Sequence, residues 1–183
     1  MSSTDTETEL EALRYPVGQW GCPATLLASE RRSAIAILRE LPPKLRSAVG
    51  DLSPEQLDTP YRPGGWTVRQ LVHHVADSHM NAYTRVRLAL TEDWPTIKPY
   101  EEGLWAKLPD ALQMPPTVSL DLLSALHLRW TELFGSLAEA DWKRGYLHPE
   151  NGRQSVEQVL SVYAWHSRHH LAHVTELRTR LHW

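Results

Sequence analysis

Apolar residues recur at helical spacing in four long stretches of the chain. In the first, Leu27, Ala34, Ile35, Leu38, Leu41, Leu45 and Val49 mark one face of a helix ending near Val49. Pro42 and Pro43 inside it predict a kink or interruption, because proline has no backbone N–H and its ring crowds the preceding turn. The second stretch opens at Thr67-Val68-Arg69-Gln70 and runs to about Thr91. Those first residues form a capping box, in which the hydroxyl accepts the third amide of the helix and the glutamine reaches back to the cap amide. Ser155-Val156-Glu157-Gln158 repeats it and opens a helix to about Leu181. Ser53-Pro54-Glu55-Gln56 does so too, but only for a short turn ending near Asp58, since the loop-like Thr59-Pro60-Tyr61-Arg62-Pro63-Gly64-Gly65-Trp66 follows. Leu120, Leu123, Leu126, Leu128, Trp130, Leu133 and Leu137 define the remaining helix, from about Thr117 to Leu137. Four such helices predict an all-α four-helix bundle, a fold that builds metal and cofactor sites in its core.

The segments outside the helices differ in kind. Residues 1–14 are polar and acidic and read as a disordered tail, leaving residues 15–183 as a single domain. The connection from Trp94 to Pro116 holds five prolines, two tryptophans and a tyrosine. A connection that long is expected to be functional, and its aromatic content predicts a packed segment that walls a pocket.

Composition narrows the function. With 42% hydrophobic and 22% charged residues over 183 positions, the chain is an ordinary globular one with enough length for a real core. A net charge of −3, with lysines and arginines scattered, lacks the basic stripe of a nucleic-acid binder. No apolar run is long enough for a membrane span. The lone Cys22 and the missing signal-peptide pattern fit a reducing cytoplasm. Eight tryptophans against one phenylalanine are unusual, and indoles often line pockets as well as cores.

The candidate chemistry is histidine. Four of the ten histidines fall in the last helix, at His166, His169, His170 and His173. Positions 156, 160, 163, 167, 170, 174, 177 and 181 form its buried seam, so His170 faces the core. At about 100° per residue, His166 lies roughly 70° from the middle of that seam, His173 about 90° and His169 about 130°, which turns His169 to solvent. His166 and His170 also have the four-residue spacing that stacks two imidazoles for a metal. A lone inward histidine is more often a hydrogen-bonded core residue, so a third ligand is needed. The second helix offers His73, His74 and His79. Its seam (68, 72, 75, 79, 82, 86, 89) puts His79 inside, His74 at the border and His73 outside, so periodicity favours His79. Three neutral imidazoles suit Zn2+ or Ni2+, and three protein ligands leave a position open for water or substrate. Such an ion lowers the pKa of a bound water or thiol, making an oxygen or a sulfur nucleophile. Asp77, Asn81, Arg85 and Glu176 share these helices and are candidates to orient an imidazole or contact substrate.

Leu57 to Arg62, Gly64-Gly65-Trp66-Thr67-Val68-Arg69-Gln70, His73 to Asn81 and Trp165 to His173 together resemble the YfiT branch of the DinB-like proteins, described both as metal-dependent hydrolases and as bacillithiol S-transferases. The likeness runs from about Tyr15 to Trp183. It implies a four-helix bundle, a homodimer and one divalent metal per chain on three histidines, here His74, His166 and His170. That choice displaces His79, which becomes a pocket candidate beside Asp77, Asn81 and Arg85. The activity implied is transfer of a low-molecular-weight thiol, bacillithiol-like, to an electrophile. The alternatives are hydrolysis of an amide or ester by hydroxide held at the same site, and a non-catalytic metal-binding stress-response module. The expected partners are small molecules, with neither nucleic acid nor membrane.

Overall fold

The computed structural model describes residues 3–183. Its helices are α1 (Ser3–Arg14), α2 (Ala28–Val49), α3 (Pro54–Leu57), α4 (Val68–Thr91), α5 (Glu102–Trp105), α6 (Pro109–Gln113), α7 (Pro116–Gly135) and α8 (Val156–Leu181), with strands β1 (Gly145–His148) and β2 (Gly152–Ser155) ahead of α8. The four long helices α2, α4, α7 and α8 form a four-helix bundle, as their periodicity predicts. All three capping boxes are made. Ser53, Thr67 and Ser155 accept the amides of Gln56, Gln70 and Gln158, whose side chains return the bond.

The packing order is not the chain order. Both α2 and α4 pack against α7 and α8, so α2 and α4 stand at opposite corners, as do α7 and α8. The links 50–67 and 136–155 therefore each cross a diagonal. Two apolar clusters fill the space between: one around Leu38, Val86, Trp130, Phe134 and Leu160, the other around Leu45, Leu71, Leu123, Val174 and Leu177. The buried histidines touch both groups, since His79 meets Trp130 edge-on and His74 lies against Trp66.

Several expectations need correcting. Helix α2 runs unbroken through Pro42 and Pro43. The prolines remove two amide donors, and the Leu38 carbonyl, four residues before Pro42, is engaged from outside by His127 Nδ1 at 2.6 Å. Residues 3–14, read as a disordered tail, form α1; residues 1 and 2 lie outside the described residues. The end of α1 and the turn after it lie on α8: the Arg14 carbonyl accepts from His173 Nε2 at 3.2 Å, the Gly18 carbonyl accepts from Trp165 Nε1 at 2.9 Å, and Trp20 Nε1 donates to Ser161 Oγ at 3.2 Å.

The β1–β2 hairpin is an addition to the all-helical expectation. Its strands pair antiparallel from Gly145 opposite Ser155 to His148 opposite Gly152, and Gly152 takes φ +71° at the turn. Gly145 has no room for a side chain, since a Cβ there would lie 2.2 Å from the Gln154 carbonyl oxygen and 2.8 Å from the Trp94 ring. The α4–α5 connection is tied to β1 by Ile97 N–H to the Leu147 carbonyl and Leu147 N–H to the Pro95 carbonyl. That connection is packed, as its aromatics predict, with Tyr100 against Trp105 and Ile97 buried.

Candidate metal centre

Helix α8 stacks His166 and His170 one turn apart, and α4 brings His74 to face them. The rings of His166 and His170 have centroids 4.3 Å apart, and His74 stands 5.5 Å and 5.0 Å from them. One ring nitrogen from each lies within 4.8 Å of the other two. The Nε2 atoms of His166 and His170 are 3.1 Å apart, close to the roughly 3 Å that neighbouring imidazole nitrogens show around an ion held at about 2.0–2.1 Å. Burial, before the neighbouring imidazoles, holds His74 down to about 4 and pushes His166 and His170 well below the usual histidine range. All three are therefore neutral at pH 7, with a lone pair each to give. His170 Nδ1 is buried without a hydrogen-bond partner. A donor set of neutral imidazoles with no thiolate or carboxylate fits a borderline divalent ion.

The other candidates fall in different places. His79 is fully buried but does not line the cavity described below; it sits behind His166, with Nε2 3.0 Å from His166 Nδ1 and Nδ1 2.8 Å from His127 Nε2. Asp77 and Asn81 do not line it either. The Asn81 amide donates to the Asp77 carbonyl, while burial, helped by Asp110, raises the Asp77 carboxyl to about 6. Glu176 is exposed. Arg85 does line the cavity, with Nη2 donating to the Lys98 carbonyl at 3.2 Å.

His73 and His169, expected to face outward, are both buried. His73 is covered by the first turn of α7 and the chain leading into it, through Ser119 Oγ at 2.7 Å and the Met114 carbonyl at 3.1 Å. His169 is 7% exposed and His173 3%, because the N-terminal segment lies over them and Trp165 stacks on His169 at 4.4 Å. His169, His170 and His173 consequently form a second triad close enough to hold an ion, sharing His170 with the first.

A cavity of about 930 Å³ opens onto His74, His166 and His170. Trp20, Trp66 and Trp165 contribute indole surface, while Arg85, His148, Asn151, Arg153 and Gln154 supply polar groups. Among the described residues Glu102 is the only acidic one lining it; much of the residue is exposed, but burial still raises its carboxyl above the usual carboxylate range. The expected wall from the Trp94 to Pro116 connection therefore shrinks to Glu102, and the β1–β2 hairpin and N-terminal segment supply what sequence reasoning missed. A turn signal for the hairpin was present in Asn151-Gly152. His127 was missed as well, although it lies at four- and three-residue spacing between Leu123 and Trp130 on the buried side of α7.

The DinB superfamily profile matches residues 37–174, which takes in all of α4 and α7 and the greater part of α2 and α8. The chain belongs to the DinB superfamily. A relative from Bacillus mycoides (strain KBAB4) is 51% identical over 174 residues, 95% of this chain and 100% of its own length. One from Bacillus cereus (strain 03BB102) is 51% identical over 171 residues, 93% and 98%. Both are named "Putative metal-dependent hydrolase". Among solved structures, YfiT from Bacillus subtilis superposes with a TM-score of 0.92 at 47% identity, over 94% of this chain and 99% of that one; it is described as "a probable metal-dependent hydrolase with an unusual four-helix bundle topology". TT2238, a four-helix bundle protein, shares the fold at a TM-score of 0.52 and 20% identity, over 77% of this chain and 94% of that one.

Proposed function

We propose that this DinB-superfamily chain is a metal-dependent enzyme in which His74, His166 and His170 hold one divalent ion, Zn2+ or Ni2+, and that it transfers a low-molecular-weight thiol to an electrophilic small molecule. The observation that carries the reading is the neutral imidazole triad at the wall of a large cavity. An ion held there supplies Lewis acidity and lowers the pKa of the water or thiol it binds. The chain's own residues do the rest. The three imidazoles leave the ion's charge uncompensated, the indoles of Trp20, Trp66 and Trp165 offer apolar surface, and Arg85, Arg153 and His148 offer donors to an anionic or carbonyl-bearing substrate.

One observation favours sulfur over oxygen as the nucleophile. The cavity volume of about 930 Å³ has room for a thiol cosubstrate beside the electrophile. Hydrolysis has a candidate base, since among the described residues Glu102 is the one acidic residue lining the cavity and burial raises its carboxyl above the usual carboxylate range. Hydrolysis remains the second reading, supported by the names of the relatives. The same reading carries a cytoplasmic homodimer of single-domain chains. Among the described residues no helix is long and apolar enough to cross a membrane. A screen that follows thiol consumption and acid release in parallel, with wild type and His170→Ala, tests it. Thiol consumption lost in the variant supports transfer, acid release lost in the variant supports hydrolysis, and no turnover with a full complement of metal supports a non-catalytic module.

A further inference from the structure

His79 and His127 are two buried imidazoles that no ligand set requires. They join His166 to the backbone of α2 in one continuous run of hydrogen bonds. From the outside in, the Leu38 carbonyl meets His127 Nδ1 at 2.6 Å, His127 Nε2 meets His79 Nδ1 at 2.8 Å, and His79 Nε2 meets His166 Nδ1 at 3.0 Å. Direction in such a run is decided at its end. A carbonyl oxygen only accepts, so His127 must carry its proton on Nδ1. A neutral imidazole has one donor and one acceptor nitrogen, so His127 Nε2 accepts and His79 Nδ1 donates. The same step repeated makes His79 Nε2 the acceptor and His166 Nδ1 the donor. Each ring nitrogen of His127 and His79 has one partner in the run, which uses that one-donor, one-acceptor count in full.

Taking His74, His166 and His170 as the ligands, we propose that His127 and His79 are positioning residues: they lock His166 in the tautomer that carries its proton on Nδ1, leaving the Nε2 lone pair directed at the metal position. Pro42 supplies the anchor. In a regular helix the amide of residue 42 would donate to the Leu38 carbonyl, but proline has no N–H, and the oxygen is left to take His127. The proline within α2, an apparent flaw in the helix, is thus the origin of the relay.

The relay also differs in charge from the usual support of a metal-bound histidine. A carboxylate behind the imidazole would raise its basicity and offset part of the ion's charge. Two neutral imidazoles and a peptide carbonyl orient His166 without doing so, which leaves the site more receptive to an anionic ligand such as a thiolate.

The test is a long-range proton–nitrogen NMR experiment on the histidines of the full-length, metal-stripped protein at pH 7.5, paired with zinc affinity measured against a chelating indicator. His127, His79 and His166 are all expected to be protonated on Nδ1; a proton on Nε2 of any of the three would overturn the relay. His79→Leu is expected to lose 10- to 100-fold in zinc affinity. His79→Gln, whose amide can donate to His127 and accept from His166 together, is expected to recover most of it. Equal zinc affinity in wild type and the leucine variant, with only the melting temperature lowered, would overturn the positioning role. Should the leucine variant not fold, the wild-type tautomers and the glutamine variant still decide. A wild type that binds no zinc but shows the three Nδ1 tautomers would instead overturn the metal reading.

Discussion

His74 and His79 lie five residues apart on α4, and the hydrophobic pattern ranks His79 first for metal, whereas the structure groups His74 with His166 and His170. Periodicity reads burial, and His79 is the more buried of the two, at 0% against 5% exposed. Both nitrogens of His79 are already spent on His127 and His166. His74, at the border of the seam, faces His166 and His170 across the bundle. The i, i+4 pair on α8 was legible because spacing and seam agreed on one helix, while the third proposed ligand depended on how two helices meet. The second triad makes a sharp contrast for mutation. His74→Ala is expected to abolish stoichiometric zinc binding, whereas His173→Ala, outside the proposed ligand set, is expected to keep it, as read by metal analysis of the reconstituted proteins; the reverse pattern would move the site to His169, His170 and His173. His127 adds a pH dependence. Burial holds it down to about 4, against the Leu38 carbonyl, which favours its charged form, compared with about 6.5 in an unfolded chain. Between those values the unfolded state binds more protons, so stability is full above about pH 6.5 and is lost as the pH falls toward 4. The gap corresponds to about 3 kcal/mol. The titratable group facing His127 is His79 on α4, also held neutral by burial, which acts in the same direction, while α2 presents the Leu38 carbonyl. Urea midpoints of the metal-free protein are expected to fall between pH 7 and pH 5; a flat profile would contradict this.

At the scale of elements, the helix starts were the most legible feature, because a capping box is a local contract among four residues. Thr67→Ala should cost about 1 kcal/mol, read as a lower urea midpoint without change in metal content, since Thr67 accepts the Gln70 amide at one end of α4 and touches none of the ligands. Pro42 was legible as an anomaly but not as a use, since its consequence lies in a side chain from α7 that the sequence of α2 does not contain. The hairpin was the clearest omission. Each of its strands has only four residues, too few for alternation to stand out. Gly145→Ala is expected to displace it, because the added Cβ would strike the Gln154 carbonyl and the Trp94 ring. The hairpin carries Tyr146, His148, Arg153 and Gln154 to the cavity wall. The variant should therefore bind zinc normally but raise the KM for substrate; unchanged KM would remove the hairpin from substrate binding.

For the whole molecule, the bundle was legible and its arrangement was not. Four amphipathic helices must bury their apolar faces together, but which pairs become neighbours depends on links whose course no periodicity records. The diagonal placement of α2 against α4, and of α7 against α8, matters to the site: it sets α4 beside α8, where His74 meets His166 and His170, and α7 beside both α2 and α4, where His127 joins Leu38 to His79. The N-terminal segment was misread for the same reason. Polar composition predicts disorder for residues 1–14, yet residues 3–14 form α1 and the Arg14 carbonyl meets His173, while the entry segment that follows brings Tyr15 to His169 and Trp20 and Cys22 to the cavity. Everything proposed about chemistry rests on one ion being held by three histidines, and the direct measurement is metal content per chain by mass spectrometry on untagged protein, for wild type and His170→Ala. Near one divalent ion per wild-type chain, lost in the variant, is the predicted result. Equal, substoichiometric metal in both, persisting after reconstitution with zinc or nickel, would contradict it.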